Sequence, residues 1–186
     1  MSCGRLKREG REYSFDELHS LAEEAKSLNA YIDNEYPTFN TPGGDIRVKM
    51  AEYLQQTGQA VPQTVGEWVR CIFESLALKV KYCADYLKNT LGMPLEDAFV
   101  INGGSRNTLL VQLLSDALRL PIHAGMPYAT LAGNLLTQFY ADGKVSSVEE
   151  MREVAGRSFQ MKEYEPQPGR DWDAALQAAV EKNVCH

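Results

Sequence analysis

Phe99-Val100-Ile101-Asn102-Gly103-Gly104-Ser105-Arg106-Asn107-Thr108-Leu109-Leu110 is the stretch that decides how this chain is read. The apolar run Ala98–Ile101 reads as a short buried strand. Two glycines and a small hydroxyl residue follow, then a segment with helical apolar spacing. A strand that turns on Gly-Gly into a helix points free backbone N–H groups and the positive end of the helix dipole at one place. Glycine suits that place because a side chain would block the approach of a ligand to the backbone. An anion or the edge of a nucleotide fits such a turn, and so does a tight turn with no ligand at all. The stretch is neither a Walker A loop, since no Gly-Lys-Ser/Thr follows, nor a Gly-x-Gly-x-x-Gly dinucleotide fingerprint.

The flanking elements extend the pattern. A helix over Asn107–Leu118 and a strand at Pro121–Ala124 complete a βαβ arrangement, which implies parallel strands. Upstream, Ser14-Phe15-Asp16-Glu17 and Thr64-Val65-Gly66-Glu67 are capping boxes that open two helices. The second helix is the longest. Its residues Trp68, Ile72, Leu76, Val80, Cys83 and Leu87 form an apolar stripe expected to be buried, with Cys71 and Cys83 packed in the core. Between the two boxes, Asn34–Gly44 reads as a loop and Asp45 as the cap of a short helix through Met50 and Leu54. Downstream, helices are expected over Ala129–Tyr140, from Ser147 to about Gly156, and from Asp171 to about Lys182. Glu163–Gly169, with Pro166 and Pro168, reads as extended. The order suggests an α/β domain with a small sheet of parallel strands packed by several helices.

Composition narrows the partners. The chain has 186 residues, 44% of them hydrophobic, and a net charge of −6. Its 19 Lys and Arg gather on no single face, which argues against nucleic acid. The basic segment Arg5, Lys7, Arg8 and Arg11 is interrupted by Glu9 and Glu12 and reads as solvated. No apolar run reaches the ~20 residues of a membrane span, and Met-Ser-Cys-Gly-Arg lacks the apolar centre of a signal peptide, so a cytoplasmic protein is expected. Cys3, Cys71, Cys83 and Cys185 show no metal-ligand spacing, and His19, His123 and His186 are scattered. No metal site is therefore expected. Cys185-His186 reads as a frayed terminus, and His123 as a core histidine in a strand.

Ile101–Leu110 resembles the adenosine motif of the FGGY carbohydrate kinases, especially the rhamnulokinase branch, in which an apolar strand enters Gly-Gly-Gly-Ser/Cys-x-Asn and then a helix. Two further blocks fit in order. Arg70-Cys71-Ile72-Phe73-Glu74-Ser75-Leu76-Ala77 is similar to the family's Arg-x-Ile-x-Glu/Asp-Ser-Leu-Ala helix, and Gly125–Asn134 to its Gly-Pro-x-Glu-Ala-Thr-x-x-Gly-Asn loop. Asp33, Phe39 and Pro42 are spaced like a Phe-x-x-Pro segment of rhamnulokinases. Asn102 stands where the family has its first glycine, and Tyr128 where it has Glu.

The resemblance implies a partial ribonuclease-H-like, actin-type ATPase lobe, divided into an amino-terminal helical and loop segment (1–62) and a nucleotide-binding portion (63–186). It implies ATP, with Mg2+ bound through the nucleotide, and a small sugar as partners. The implied reaction is transfer of the γ-phosphate to L-rhamnulose, giving the 1-phosphate. Another FGGY sugar kinase, such as a fuculokinase or xylulokinase, or a truncated nucleotide-binding module, is the alternative. Gly103 and Gly104 are the expected nucleotide contacts; Asn107 either contacts the nucleotide or organises the first helical turn. Ser105 reads as a helix cap, and Thr130, Gly133 and Asn134 as support for the turn. Tyr128 is read as a half-buried packing residue or a stacking surface. No catalytic residue is assigned, because the family's Asp-x-Gly/Ala-Thr segments and sugar-binding domain have no counterpart here.

Overall fold

The computed structural model describes residues 6–8 and 11–185. In chain order the elements are β1 (Leu6–Arg8), β2 (Arg11–Tyr13), α1 (Phe15–Glu24), α2 (Ile46–Gln56), α3 (Val65–Thr90), β3 (Ala98–Val100), α4 (Thr108–Leu118), β4 (Ile122–Gly125), α5 (Ala129–Ala141), α6 (Val148–Ser158), β5 (Met161–Tyr164) and α7 (Trp172–Glu181). Single 3-10 turns cover Pro37–Asn40 and Asn102–Arg106. They form two compact units: residues up to Met93 together with those from Gly169 onward, and Pro94–Pro168. Cys3, Arg5, Glu9 and His186 lie outside the described residues, as do the side chains of Lys7, Arg8, Arg11 and Glu12.

Both capping boxes form. The Glu17 and Glu67 amides donate to the hydroxyls of Ser14 and Thr64, each at 3.2 Å, and the two carboxylates accept the cap amides at 2.8 and 2.9 Å. Each box satisfies two N–H groups that a helix otherwise leaves open. Two backbone donors, Gln63 and Thr64, hold the Glu67 carboxyl below its usual range.

In the first unit α1 packs against α3. The approach is close at Gly66, where a Cβ would stand 2.2 Å from the Leu21 carbonyl oxygen. The buried face of α3 carries Gly66, Cys71, Glu74, Ser75, Ala77, Leu78 and Lys81. This corrects the expected stripe: Val80 and Cys83 are exposed, and Trp68, Ile72, Leu76 and Leu87 are half-buried. The neighbouring face is buried although it holds two charges, because each charge is paired. Glu74, 1% exposed, accepts from Arg70 Nε at 2.7 Å and Ser27 Oγ at 2.7 Å, and lies 2.8 Å from Arg170 Nη1. Lys81 lies 2.7 Å from Asp173 on α7 and 3.0 Å from Asp85. A buried charge is tolerated when partners replace its water shell, and a hydropathy pattern gives no credit for that.

The same face anchors the segment before α2. Ser75 Oγ accepts from the Ile32 amide at 3.0 Å and donates to the Cys71 carbonyl at 2.6 Å. Gln59 brackets Tyr31, accepting from its N–H and donating to its C=O, both at 2.8 Å. Tyr36, Phe39 and Tyr53 cluster with ring centres 4.8–5.6 Å apart. Arg170 bonds the Tyr31 hydroxyl, lies 4.6 Å from the Trp172 ring and, through Glu74, ties the last segment of the chain to α3. Cys185 is buried, not frayed; the Val184 amide beside it donates to Ala179 at 2.9 Å. Burial pushes the Cys71 thiol up to about 12.

In the second unit the sheet order is β3-β4-β5. β3 runs parallel to β4, Ala98 opposite Ile122, and α4 lies in the connection between them. β5 pairs antiparallel with β4, Ile122 opposite Tyr164, so the sheet is mixed; part of the expected extended segment, Glu163–Tyr164, is in it. α4 packs against β4 and β5, and its Val111, Leu114 and Ala117 are buried. Ser115 Oγ lies 2.8 Å from the carbonyls of Leu120 and Tyr164. The expected buried strand at Ala98–Ile101 is an edge strand: Phe99 is 63% exposed and Ile101 is also exposed. Alternation along a strand sends Phe99 to the opposite side from Ala98 and Val100. His123 is half-buried rather than in the core, its ring stacked on Phe99 at 5.0 Å.

Candidate nucleotide site

Between β3 and α4 the chain does not pass directly from strand to helix. It makes a 3-10 turn over Asn102–Arg106 that exposes Gly103 and Gly104. The left-handed residue here is Asn102, at φ +60°, while neither glycine has positive φ. Asparagine is among the few residues that enter this region readily, which accounts for Asn where the related motif has glycine.

Nor does packing require glycine at 103. A Cβ built there meets no atom within 4 Å, and one at Gly104 makes only ordinary contact with Val100 at 3.6 Å. Gly125 contrasts sharply: its Cβ would stand 2.7 Å from Met161 Sδ and 2.8 Å from the Gln160 carbonyl. Gly125 is explained by the close approach of β5. At Gly103 the open space itself remains, a bare backbone ledge beside the amino-terminal end of α4.

Asn107 takes the cap role. Its Oδ1 accepts from the Leu110 amide at 3.0 Å, and its own N–H donates to Gly104 at 3.1 Å. Ser105, expected as the cap, instead donates from Oγ to the Asn102 carbonyl at 2.7 Å and closes the turn internally.

A second loop is fastened to this turn. The Asn102 amide donates to the Met126 carbonyl at 3.1 Å. The Asn102 side chain donates to Thr130 Oγ1 at 3.3 Å and accepts from the Thr130 amide at 3.4 Å. Met126 sits at φ +48°, uncommon for a non-glycine residue, so the second turn holds strained backbone. Across the same junction, Arg106 Nη2 donates to the Tyr128 hydroxyl at 3.2 Å, with the guanidinium carbon 5.6 Å from the ring centre. Tyr128 is exposed, not half-buried as expected. Gly133 and Asn134 lie within α5, where Asn134 Oδ1 accepts from Gln138 at 2.7 Å.

The structure therefore brings Gly103, Gly104 and Asn107 into one turn and joins Thr130 and Tyr128 to it. Sequence reading missed the strain at Met126 and the pairing of the two positions that depart from the related pattern, Asn102 with Thr130 and Tyr128 with Arg106. Their coincidence in two separate motif blocks was the available signal. The third block, Arg70 to Ala77, supplies joinery in the first unit through Arg70, Glu74 and Ser75. Among the described residues no cluster of His, Cys, Asp and Glu could hold a metal ion, and no helix is long and apolar enough to cross a membrane.

The sequence model of the FGGY family of carbohydrate kinases, C-terminal domain, matches residues 2–141. A rhamnulokinase of Bacteroides thetaiotaomicron is 38% identical over 162 residues, covering 87% of this chain and 33% of that protein. One from Bacillus subtilis is 33% identical over 155 residues, 83% of this chain and 32% of that protein. The chain spans about a third of the length of the curated relatives it matches. Among solved structures, xylulose kinase from Rhodospirillum rubrum superposes with a TM-score of 0.60 at 15% identity, over 91% of this chain and 34% of that one. That likeness shows the fold, an α/β lobe of the actin-like ATPase type. With three motif blocks in order and the family match across most of its length, the chain belongs to the FGGY family of carbohydrate kinases, in its C-terminal domain.

Proposed function

We propose that this chain is the ATP-binding portion of a rhamnulokinase-type sugar kinase. In the complete enzyme the γ-phosphate of ATP passes to L-rhamnulose, giving L-rhamnulose 1-phosphate and ADP. The observation that carries the reading is the ledge at Gly103: exposed backbone at a helix start, with a glycine that neither φ nor packing requires. The similarity to rhamnulokinases supports the choice of sugar.

In this reading Gly103 and Gly104 let the nucleotide lie against the backbone, and Asn107 holds the turn in shape by capping α4. The nucleotide supplies the transferable phosphoryl group, and Mg2+ arrives on its phosphates. Phosphoryl transfer depends on positioning and charge stabilisation across a closed cleft. The sugar-binding lobe and the base that accepts the sugar's proton belong to the remaining two-thirds of such an enzyme.

A coupled ADP-release assay tests this. The chain joined to a sugar-binding domain of the family should turn over L-rhamnulose in preference to L-fuculose and D-xylulose, and the 186-residue chain alone should turn over none. Sugar-dependent turnover by the chain alone would overturn the division of labour, and preference for another ketose would overturn the choice of sugar.

A further inference from the structure

The turn carries a charge that its own neighbours do not cancel. Arg106 ends the 3-10 turn that begins at Asn102, two residues after Gly104 and two before the first residue of α4. Its guanidinium is exposed and makes no ion pair among the described residues; its hydrogen-bond partner is the Tyr128 hydroxyl, which accepts without offering a negative charge. A carboxylate there, within reach of the same guanidinium, would form an ion pair and neutralise it. A phenol orients the arginine and leaves its charge available.

The orientation is also fixed from behind. Tyr128 lies between Met126 and Thr130, both hydrogen-bonded to Asn102, so the loop that presents the phenol is fastened to the turn that presents the arginine. Holding a long side chain in place beforehand lowers the entropy lost when it grips a ligand. Arginine suits phosphate, since its planar fork of donors matches paired anionic oxygens.

We propose that Arg106 is a phosphate-binding residue of the nucleotide site and Tyr128 its positioning residue, so that the site selects phosphorylated nucleotides over the bare nucleoside. This rests on the reading of the Gly103–Gly104 turn as the nucleotide site. A loss of about tenfold in affinity for ADP is expected when the arginine is removed, the usual scale for one charge-assisted hydrogen bond.

Calorimetric titrations of the 186-residue chain with adenosine and with ADP, at low and high salt, separate the possibilities. ADP should bind the unaltered chain at least about tenfold more tightly than adenosine at low salt. The ratio should shrink at high salt, as screening weakens exposed charge pairs. Arg106→Gln and Tyr128→Glu should each bring the ratio near one by weakening ADP far more than adenosine; Tyr128→Phe should keep part of it. Thermal melts of each variant show whether it folds, and the salt series on the unaltered chain needs no variant. A ratio that survives Arg106→Gln in a folded chain, or that ignores salt, overturns the role of Arg106 while leaving the site intact. Failure of both ligands to bind overturns the nucleotide site, and this inference with it.

Discussion

Gly103→Val should separate binding from stability. The structure sets the two sides of that comparison. A Cβ at 103 has no atom within 4 Å and the backbone is outside the left-handed region, so the folded chain accommodates a side chain there. The expected cost is that of an ordinary exposed substitution, about 0.5 kcal/mol or less. A domain of this size then loses about 2 °C or less in Tm. For a nucleotide in van der Waals contact with the Gly103 backbone, the valine methyl groups occupy the space its atoms need. Losing one or two backbone hydrogen bonds of about 1 kcal/mol each, together with the contact itself, gives a 10- to 100-fold rise in the KM for ATP. The assay is steady-state kinetics of a complete kinase containing this domain, with ATP and sugar varied separately, alongside a thermal melt. A KM for ATP that stays put, or an equal weakening for the sugar, would refute the assignment. A melt lowered by many degrees would refute the structural half of the reasoning.

Three other substitutions or treatments probe the scaffold. Gly66→Ala should destabilise by about 3 kcal/mol, because its Cβ meets the Leu21 backbone oxygen at 2.2 Å and backbone cannot rotate away. Urea unfolding measures it, and a neutral or stabilising outcome means α1 and α3 do not meet there. Thiol labelling of the native chain should modify Cys83 quickly and Cys71 and Cys185 only after denaturation, since the first is exposed and burial raises the pKa of the other two; equal rates at Cys71 and Cys83 would reverse the assignment of the α3 faces. The Glu67 carboxyl, lowered by the Gln63 and Thr64 amides, contributes stability above the unfolded carboxyl pKa and loses it as pH falls through the folded one. Glu67→Gln should therefore flatten the decline of Tm below about pH 5, the acid side of an ordinary carboxylate, and an unchanged decline would exclude that role.

Local chemistry was the legible part of this fold. Caps announce helices through short-range geometry, so Ser14, Asp45, Thr64, Ser147 and Asp171 each marked a true helix start. The parallel pairing of β3 with β4 followed from the βαβ order. What escaped was whatever depends on partners distant in sequence. The burial of Glu74 and Lys81 goes with Arg170 and Asp173, about ninety residues on, which complete their ion pairs. The α3 stripe misled for the same reason, since apolar spacing says that a face is greasy and not that this part of the chain covers it. At the site, the glycines were legible as a turn between strand and helix. The cap at Asn107 rather than Ser105, and the positive φ at Asn102, rest on bond directions that residue type leaves undetermined.

The most direct test of the central claim is an amide NMR titration of this chain with ATP, with the backbone of the second unit assigned. The account predicts that the largest shifts fall on Gly103, Gly104 and the first turn of α4, including Asn107. Shifts concentrated elsewhere with those amides unmoved, or no saturable shift at all, would contradict it.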